Sequence, residues 1–262
     1  MMDTLSVIKI GGNIIDHPER LLAVMKDFAA LEGPKILVHG GGKIATTIGD
    51  RLGIESRYES GRRITDEATL ELVTMVYGGL VNKGIVAMLQ SLGCNAIGLT
   101  GGDGNCIKAV VRPVGTVDYG FAGDIPEEGV NASFLHLLLQ SGFTPVLAPL
   151  THDGKGQLLN TNADTIAQEI AKSLAKRMPV KLVYCFEKGG VLMDAVDEAS
   201  VIPHIDRALF EKLQAEHIIT DGMIPKVSNA LAAVQAGVHT VAIGRAEDLS
   251  EIVSGTKGTH IK

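Results

Sequence analysis

The sequence predicts an α/β protein in three layers, a central and mostly parallel sheet covered by helices on both faces and divided into two lobes. Three observations predict it. Short β-rich runs alternate with longer amphipathic stretches along the whole chain. Nearly every glycine cluster falls at the carboxyl end of a predicted strand, where parallel sheets hold their ligands. Hydrophobic residues make up 45% and charged residues 21% of the 262, the balance of a chain with a well-buried core.

The elements follow in order. Leu5–Ile10 is a strand that breaks at Gly11-Gly12, and Pro18–Leu31 carries Leu21, Leu22, Met25, Phe28 and Ala29 at helical spacing. Lys35–Val38 is a buried strand running into His39-Gly40-Gly41-Gly42, with a helix through Arg51 beyond it. A polar, hairpin-like stretch precedes Asp66–Leu92, which reads as one long helix capped by Thr65 or Asp66. Ala96–Leu99 is the next strand, and Ile107–Gly123, rich in β-branched residues and glycine breaks, reads as a β-meander. Asn131–Ser141 is helical, Pro145–Ala148 a strand, and Asp164–Leu174 a helix capped by Asn162. Strand Lys181–Cys185, helices Arg207–Glu216 and Lys226–Ala236, and strand Thr240–Ile243 repeat the alternation. The short basic stretch Ser173–Pro179 marks the junction of an N-terminal lobe, 1–174, with a C-terminal lobe, 175–262.

Composition narrows the function classes. Aromatics are 4% with no Trp, and the net charge is -6, so neither base stacking nor polyanion attraction favours nucleic acid or an anionic membrane as partner. Cys94, Cys106 and Cys185 form no CxxC pair and read as inert thiols of a reducing compartment. The N-terminus has no basic n-region, and no apolar stretch is expected to approach the ~20 residues of a membrane span. The expectation is a soluble, cytoplasmic protein. No histidine pair has metal-site spacing, so no protein-held metal is expected.

Five segments carry candidate chemistry. Lys9 precedes Gly11-Gly12, where backbone N–H groups can approach an anion and a lysine can hold a phosphate; a strand-end lysine reaching solvent is the plainer alternative. His39-Gly40-Gly41-Gly42-Lys43 fails the Walker pattern, having Leu37 and Ile44 at the required Gly and Ser/Thr, and remains a glycine nest at a helix start. His39 itself reads as a packed histidine. Arg62 and Arg63 sit before a helix, where one can pair with a carboxylate. Leu159 to Asp164 is short and polar, with Asn162 suited to a helix cap, and Ile218 to Lys226 is a turn entering a helix through Pro225.

In this order the segments resemble the amino acid kinase superfamily, and within it the acylglutamate branch. The resemblance is carried by K-I-G-G at Lys9–Gly12, H-G-G-G at His39–Gly42, G-R-R-I-T-D at Gly61–Asp66 and V-N-K at Val81–Lys83. N-T-N-A-D at Asn160–Asp164, I-T-D-G-M-I-P-K at Ile219–Lys226 and G-T-x-I at Gly258–Ile261 extend it to the whole chain. It implies the amino acid kinase fold and ATP-dependent phosphorylation of the side-chain carboxylate of an N-acylated glutamate. Acetyl is the expected acyl group and succinyl the alternative. By the same resemblance Lys9 and Lys226 flank the transferring phosphoryl group, and Asp164 positions them. Gly41 and Gly42 face the reacting carboxylate, Arg63 clamps the α-carboxylate, and Asn160 binds the α-substituents. ATP lies along Gly11, Gly12, Glu187, Gly190, Leu192, Ile218 and Thr220, with Mg2+ held chiefly by phosphates.

Two departures from the family pattern stand out. Glu187 replaces the usual Asp in Cys185–Leu192, and the chain begins almost at its first strand, without the helix that joins arginine-inhibited relatives into hexamers. A homodimer insensitive to arginine is expected, with the Asp66–Leu92 helix at its interface. A succinyl group would call for extra positive charge, for which Arg62, Lys83 and Lys108 are candidates. A nicotinamide oxidoreductase would need the missing GxGxxG. A non-catalytic sensor of the same fold should have lost Lys9, Asp164 or Lys226, and all three are present.

Overall fold

Strand β1 (Leu5–Ile10) forms where expected, and its alternation sets the layers. Leu5 and Val7 join one buried cluster while Ile8 and Ile10 join the other, one on each face of the sheet. Both faces are covered, as a central parallel strand requires. The computed structural model describes residues 4–219 and 223–262. Its central sheet adds β2 (Lys35–His39), β3 (Ala96–Leu99), β4 (Thr144–Leu147), β5 (Val180–Phe186), β6 (His204–Ile205), β7 (Thr240–Arg245) and β8 (Thr259–Ile261). The eight strands run in the order β6-β8-β7-β5-β1-β2-β4-β3. All neighbours are parallel except β7 with β8.

The helices are α1 (Gly12–Ile15), α2 (Pro18–Ala30), α3 (Gly42–Leu52), α4 (Glu67–Ser91), α5 (Ala132–Gln140), α6 (Ala163–Ala175), α7 (Arg207–Ala215), α8 (Ile224–Gln235) and α9 (Leu249–Ser254). One face of the sheet packs Ile166 and Ile170 of α6, Phe210 of α7 and Val227 and Leu231 of α8. The opposite face packs Met25 and Phe28 of α2, Leu72, Ile85 and Leu89 of α4, and Ile252 of α9. Phe28 is fully buried there, and truncating such a side chain to Ala costs about 3–5 kcal/mol.

Topology places the site. From β1 the chain goes to β2 on one side, while β5 leads to β7 on the other. The crevice beyond the carboxyl ends of β1 and β5 is therefore the switch point, where ligands of open parallel sheets bind. Lys9–Gly12 and Phe186–Gly190 lie at those two ends.

Three expectations change. Asp66–Leu92 is continuous from Glu67 to Ser91, with Asp66 as the cap accepting from the Thr69 N–H at 2.9 Å, but Thr74–Val81 is wound as a π-helix around Gly78-Gly79. This helix is also long and apolar enough to cross a membrane, contrary to the expectation that no apolar stretch would be. Its Leu72, Val73, Ile85 and Leu89 are buried against the sheet, so it is a core helix. The meander reduces to one ladder, Val110–Val111 with Gly123–Asp124, because Pro113, Gly115 and Gly120 break the intervening chain. A hairpin not foreseen, Leu150–His152 with Leu158–Asn160, turns at Asp153-Gly154, where Asp153 Oδ1 accepts from the N–H groups of Lys155 and Gln157. It delivers Asn160 to the site.

Candidate active site

The strand register brings the cationic group together. Lys9 is on the face of β1 that carries Val7, so it points toward α6, and Asp164 lies in the first turn of that helix. Lys9 Nζ is 2.8 Å from Asp164 Oδ1, with 12% of the lysine side chain exposed. Asp164 Oδ1 is buried and has no hydrogen-bond partner among the described residues, so the pair is held by charge. Asn162 Oδ1 caps α6 by accepting from the N–H groups of Asp164 and Thr165 at 2.8 and 3.2 Å. The capped helix end places Asp164 beside the lysine.

Lys226 approaches from α8, just inside Pro225. Its ammonium lies 4.1 Å from the centroid of the Phe186 ring, and that of Lys9 lies 5.8 Å away on the same ring. The residue as a whole is exposed, but its charged end sits in the cleft, and desolvation there lowers its pKa. Asp164 opposes the shift, Lys9 adds to it, and Glu187 opposes it. Two ammonium groups thus face one aromatic ring, one of them paired with a carboxylate, a charge arrangement that a transferring phosphoryl group would complete.

One pocket opens beside this group over Gly40–Gly42, lined by Tyr58, Arg62, Arg63, Tyr77, Arg112 and Asn160. Gly41 has φ 149°, a region that glycine tolerates, and a Cβ there would lie 3.1 Å from Tyr77. At Gly42 a Cβ would meet nothing within 4 Å, so the chain turns an open edge to the pocket. Arg63 is buried at 7% exposure and donates to Ser56 Oγ, Gly42 O, Thr46 Oγ1 and Tyr58 Oη, which ties its two-residue ladder (Tyr58–Glu59 with Arg62–Arg63) onto α3. Asn160 donates through Nδ2 to Thr65 Oγ1 at 3.0 Å.

A second cleft shares Lys9, Gly11, Gly12, Gly42 and Tyr58 with the first and continues along Asn13, Lys43, Phe186, Glu187, Gly190 and Lys226. Glu187 Oε1 accepts from Asn13 Nδ2 at 2.5 Å, so the longer carboxylate reaches across to the β1 turn. Gly190 is required by close approach: a Cβ would fall 2.6 Å from Thr259 Oγ1 and 2.7 Å from Val201 Cγ1. Leu192 lies outside the cleft, buried and bridged to Val201. Ile218 packs partly buried on the core, and Thr220 falls outside the described residues.

Other placements bear on the chemistry. Lys83 donates to Gly98 O, and Lys108 packs against Gly154; neither lines the arginine pocket, whereas Arg62 does. Arg112 and Phe186 were not foreseen. Arg112 is held by Asp124 through Nε and Nη2, a pairing of two ladder strands whose only sequence sign is an arginine before Pro113. Phe186 could have been suspected from sharing strand parity with the buried Tyr184. His39 is the packed histidine expected: it is fully buried and donates from Nδ1 to Gly40 O at 2.7 Å, and Nε2 faces Asn82 Nδ2 at 3.1 Å. Burial lowers its pKa to about 4, against the bond to Gly40 and helped by Lys83. Burial pushes the Cys185 thiol up to about 12, leaving it inert.

A crevice at the switch point of a parallel sheet, lined by lysines and glycine turns and opening onto an arginine pocket, defines a phosphotransferase for a small anionic substrate. Residues 4–245 match the amino acid kinase family. The chain is 56% identical to acetylglutamate kinase of Bacteroides thetaiotaomicron and 57% identical to that of Phocaeicola vulgatus, each over 262 residues and 100% of both chains. Among solved structures, smu.665 from Streptococcus mutans UA159 matches with a TM-score of 0.76 and 26% identity over 98% of each chain. The chain belongs to the amino acid kinase family, in its acetylglutamate kinase branch.

Proposed function

We propose that this protein transfers the γ-phosphoryl group of ATP to the side-chain carboxylate of N-acetyl-L-glutamate, a step of arginine biosynthesis. A carboxylate oxygen attacks the γ-phosphorus, the bond from phosphorus to the bridging oxygen breaks, and ADP leaves with the electron pair. No proton moves, because the carboxylate is already ionised at neutral pH. The obstacle is the approach of two anions, so catalysis is positioning and charge stabilisation. The observation that carries this proposal is that the two clefts meet at Lys9 and Gly11-Gly12, with Lys226 and Asp164 beside the junction.

In this scheme Lys9 and Lys226 neutralise the phosphoryl group in flight and Asp164 keeps them placed. Gly41 and Gly42 face the reacting carboxylate, while Arg63 and Asn160 hold the α-substituents in the N-terminal lobe. The nucleotide lies over Gly11, Gly12, Glu187 and Gly190 toward the C-terminal lobe. Among the described residues no three His, Cys, Asp or Glu side chains gather as a cage, and the nucleotide cleft is lined by lysines and one carboxylate, Glu187. That donor set fits Mg2+ carried by the phosphates, where it would supply further charge neutralisation. The protein acts in the cytoplasm as a homodimer; Met75 and Leu80, 58% and 59% exposed on α4, support a partner surface there. Sedimentation giving a monomer would remove the dimer.

A second reading, the same reaction on N-succinyl-L-glutamate, is favoured by Arg112 joining Arg62 and Arg63 in the acyl pocket. Asp124 offsets the charge of Arg112, which keeps acetyl first. An ADP-release assay with MgATP and N-acetyl-L-glutamate, N-succinyl-L-glutamate or free L-glutamate decides. Turnover with the acetyl substrate and little with free glutamate is expected; preference for the succinyl substrate establishes the second reading, and turnover with none overturns both.

A further inference from the structure

Lys43 has no part in the scheme above, yet its side chain lines the nucleotide cleft with Lys9 and Lys226 and is absent from the arginine pocket. It is the second residue of α3 and 69% of its side chain is exposed. Its ammonium lies 3.7 Å from Asp16 Oδ2. Asp16 is unusual: its side chain is 15% exposed, and both carboxylate oxygens are buried with no hydrogen-bond partner among the described residues. The same carboxylate lies against the phosphate turn, with Oδ2 3.7 Å from where a Cβ on Gly12 would stand.

A solvated surface lysine would need none of this. At 3.7 Å, and with 69% of the lysine side chain in solvent, the pair contributes little to stability, so the arrangement is not explained as a staple of the fold. A bare carboxylate beneath a phosphate turn would repel the nucleotide, and Lys43 is the cation that masks it. An ammonium has three N–H donors, so one can point to Asp16 while the others face the cleft.

We propose that Lys43 is a third phosphate-binding lysine, donating to non-bridging oxygens of the nucleotide from the N-terminal-lobe side, and that Asp16 positions it. This rests on the kinase scheme above, in which the cleft shared by Lys9 and Lys226 takes the phosphates. Lys43 discriminates between the substrates by location: it serves the nucleotide and leaves the acylglutamate untouched.

The test is Lys43→Met beside Lys43→Arg and the unaltered protein, with ADP affinity read by isothermal titration and both KM values by ADP release. Lys43→Met is expected to weaken ADP binding and raise the KM for MgATP about tenfold, as the loss of one charge-assisted hydrogen bond would. The KM for the acylglutamate should stay within about twofold and Lys43→Arg should recover most of the nucleotide affinity. Asp16→Asn should weaken ADP binding when Lys43 is present, yet recover part of the affinity lost in Lys43→Met, where the unmasked carboxylate repels the phosphates. Equal ADP affinity of Lys43→Met and the unaltered protein, or a change in the acylglutamate KM alone, overturns the assignment while leaving the kinase scheme standing. Absence of ADP binding and turnover in the unaltered protein overturns both.

Discussion

Replacing Lys9 with Met removes the ammonium but keeps most of the aliphatic stem that fills β1. The side chain is 12% exposed and lies in a cleft, where a unit charge about 4 Å from a developing charge is worth about 4 kcal/mol at an effective dielectric near 20. Part of that acts equally on bound substrate and appears in binding. The transition-state share, about 2.7–4 kcal/mol by comparison with single oxyanion donors, corresponds to a loss of roughly 10²–10³ in kcat. The substitution also leaves Asp164, 2.8 Å away in the intact pair, as an uncompensated carboxylate facing the phosphates. Adding Asp164→Asn to Lys9→Met should therefore recover activity several-fold instead of compounding the loss. The assay is ADP release at saturating MgATP and acylglutamate, with circular dichroism to confirm folding. A folded Lys9→Met variant within about threefold of full kcat would remove Lys9 from the phosphoryl group.

Three further outcomes follow from the geometry. Glu187→Asp shortens the carboxylate that accepts from Asn13 at 2.5 Å, so it and Asn13→Ala should each raise the nucleotide KM about three- to tenfold; an unchanged KM would show that this bond does not organise the cleft. Gly190→Ala sets a Cβ 2.6 Å from Thr259 Oγ1 and should destabilise by about 1–3 kcal/mol, seen as a lower urea midpoint, whereas an unshifted midpoint would mean the site relaxes freely. His39, with a pKa of about 4 in the fold against 6.5 in the free chain, binds its proton only when unfolded between those values. Stability should thus fall as pH drops from 6.5 to 4, by roughly 3 kcal/mol for this group. His39→Gln should flatten that part of the profile, and an equally steep profile would place the acid sensitivity elsewhere.

What could be read from the chain follows from how local each signal is. Lys9 before two glycines, the His39–Gly42 nest and the Asn162 cap are each written within a few consecutive residues, and each sits at the strand end or helix start expected. The antiparallel β8 and the hairpin that carries Asn160 were missed because their strands are three residues long, too short for an alternation to register. The π-helical turn around Gly78-Gly79 has no separate periodicity in a helix that is apolar throughout. Pairings across distance were invisible. Asn13 and Glu187 are 174 positions apart and meet only because β1 and β5 are neighbours in the sheet. Arg112 is recruited through Asp124, and Lys43 through Asp16, by contacts that no spacing encodes.

The central claim is that a carboxylate oxygen of the substrate attacks phosphorus directly, between two lysines and without a general base. It is tested most directly with N-acetyl-L-glutamate labelled with 18O in the side-chain carboxylate, MgATP, and hydroxylamine to intercept the product. Hydroxylamine attacks the carbonyl carbon and releases the phosphate with its bridging oxygen. The predicted result is the hydroxamate together with inorganic phosphate carrying one 18O atom. Unlabelled phosphate, or ADP release without hydroxamate, would contradict it.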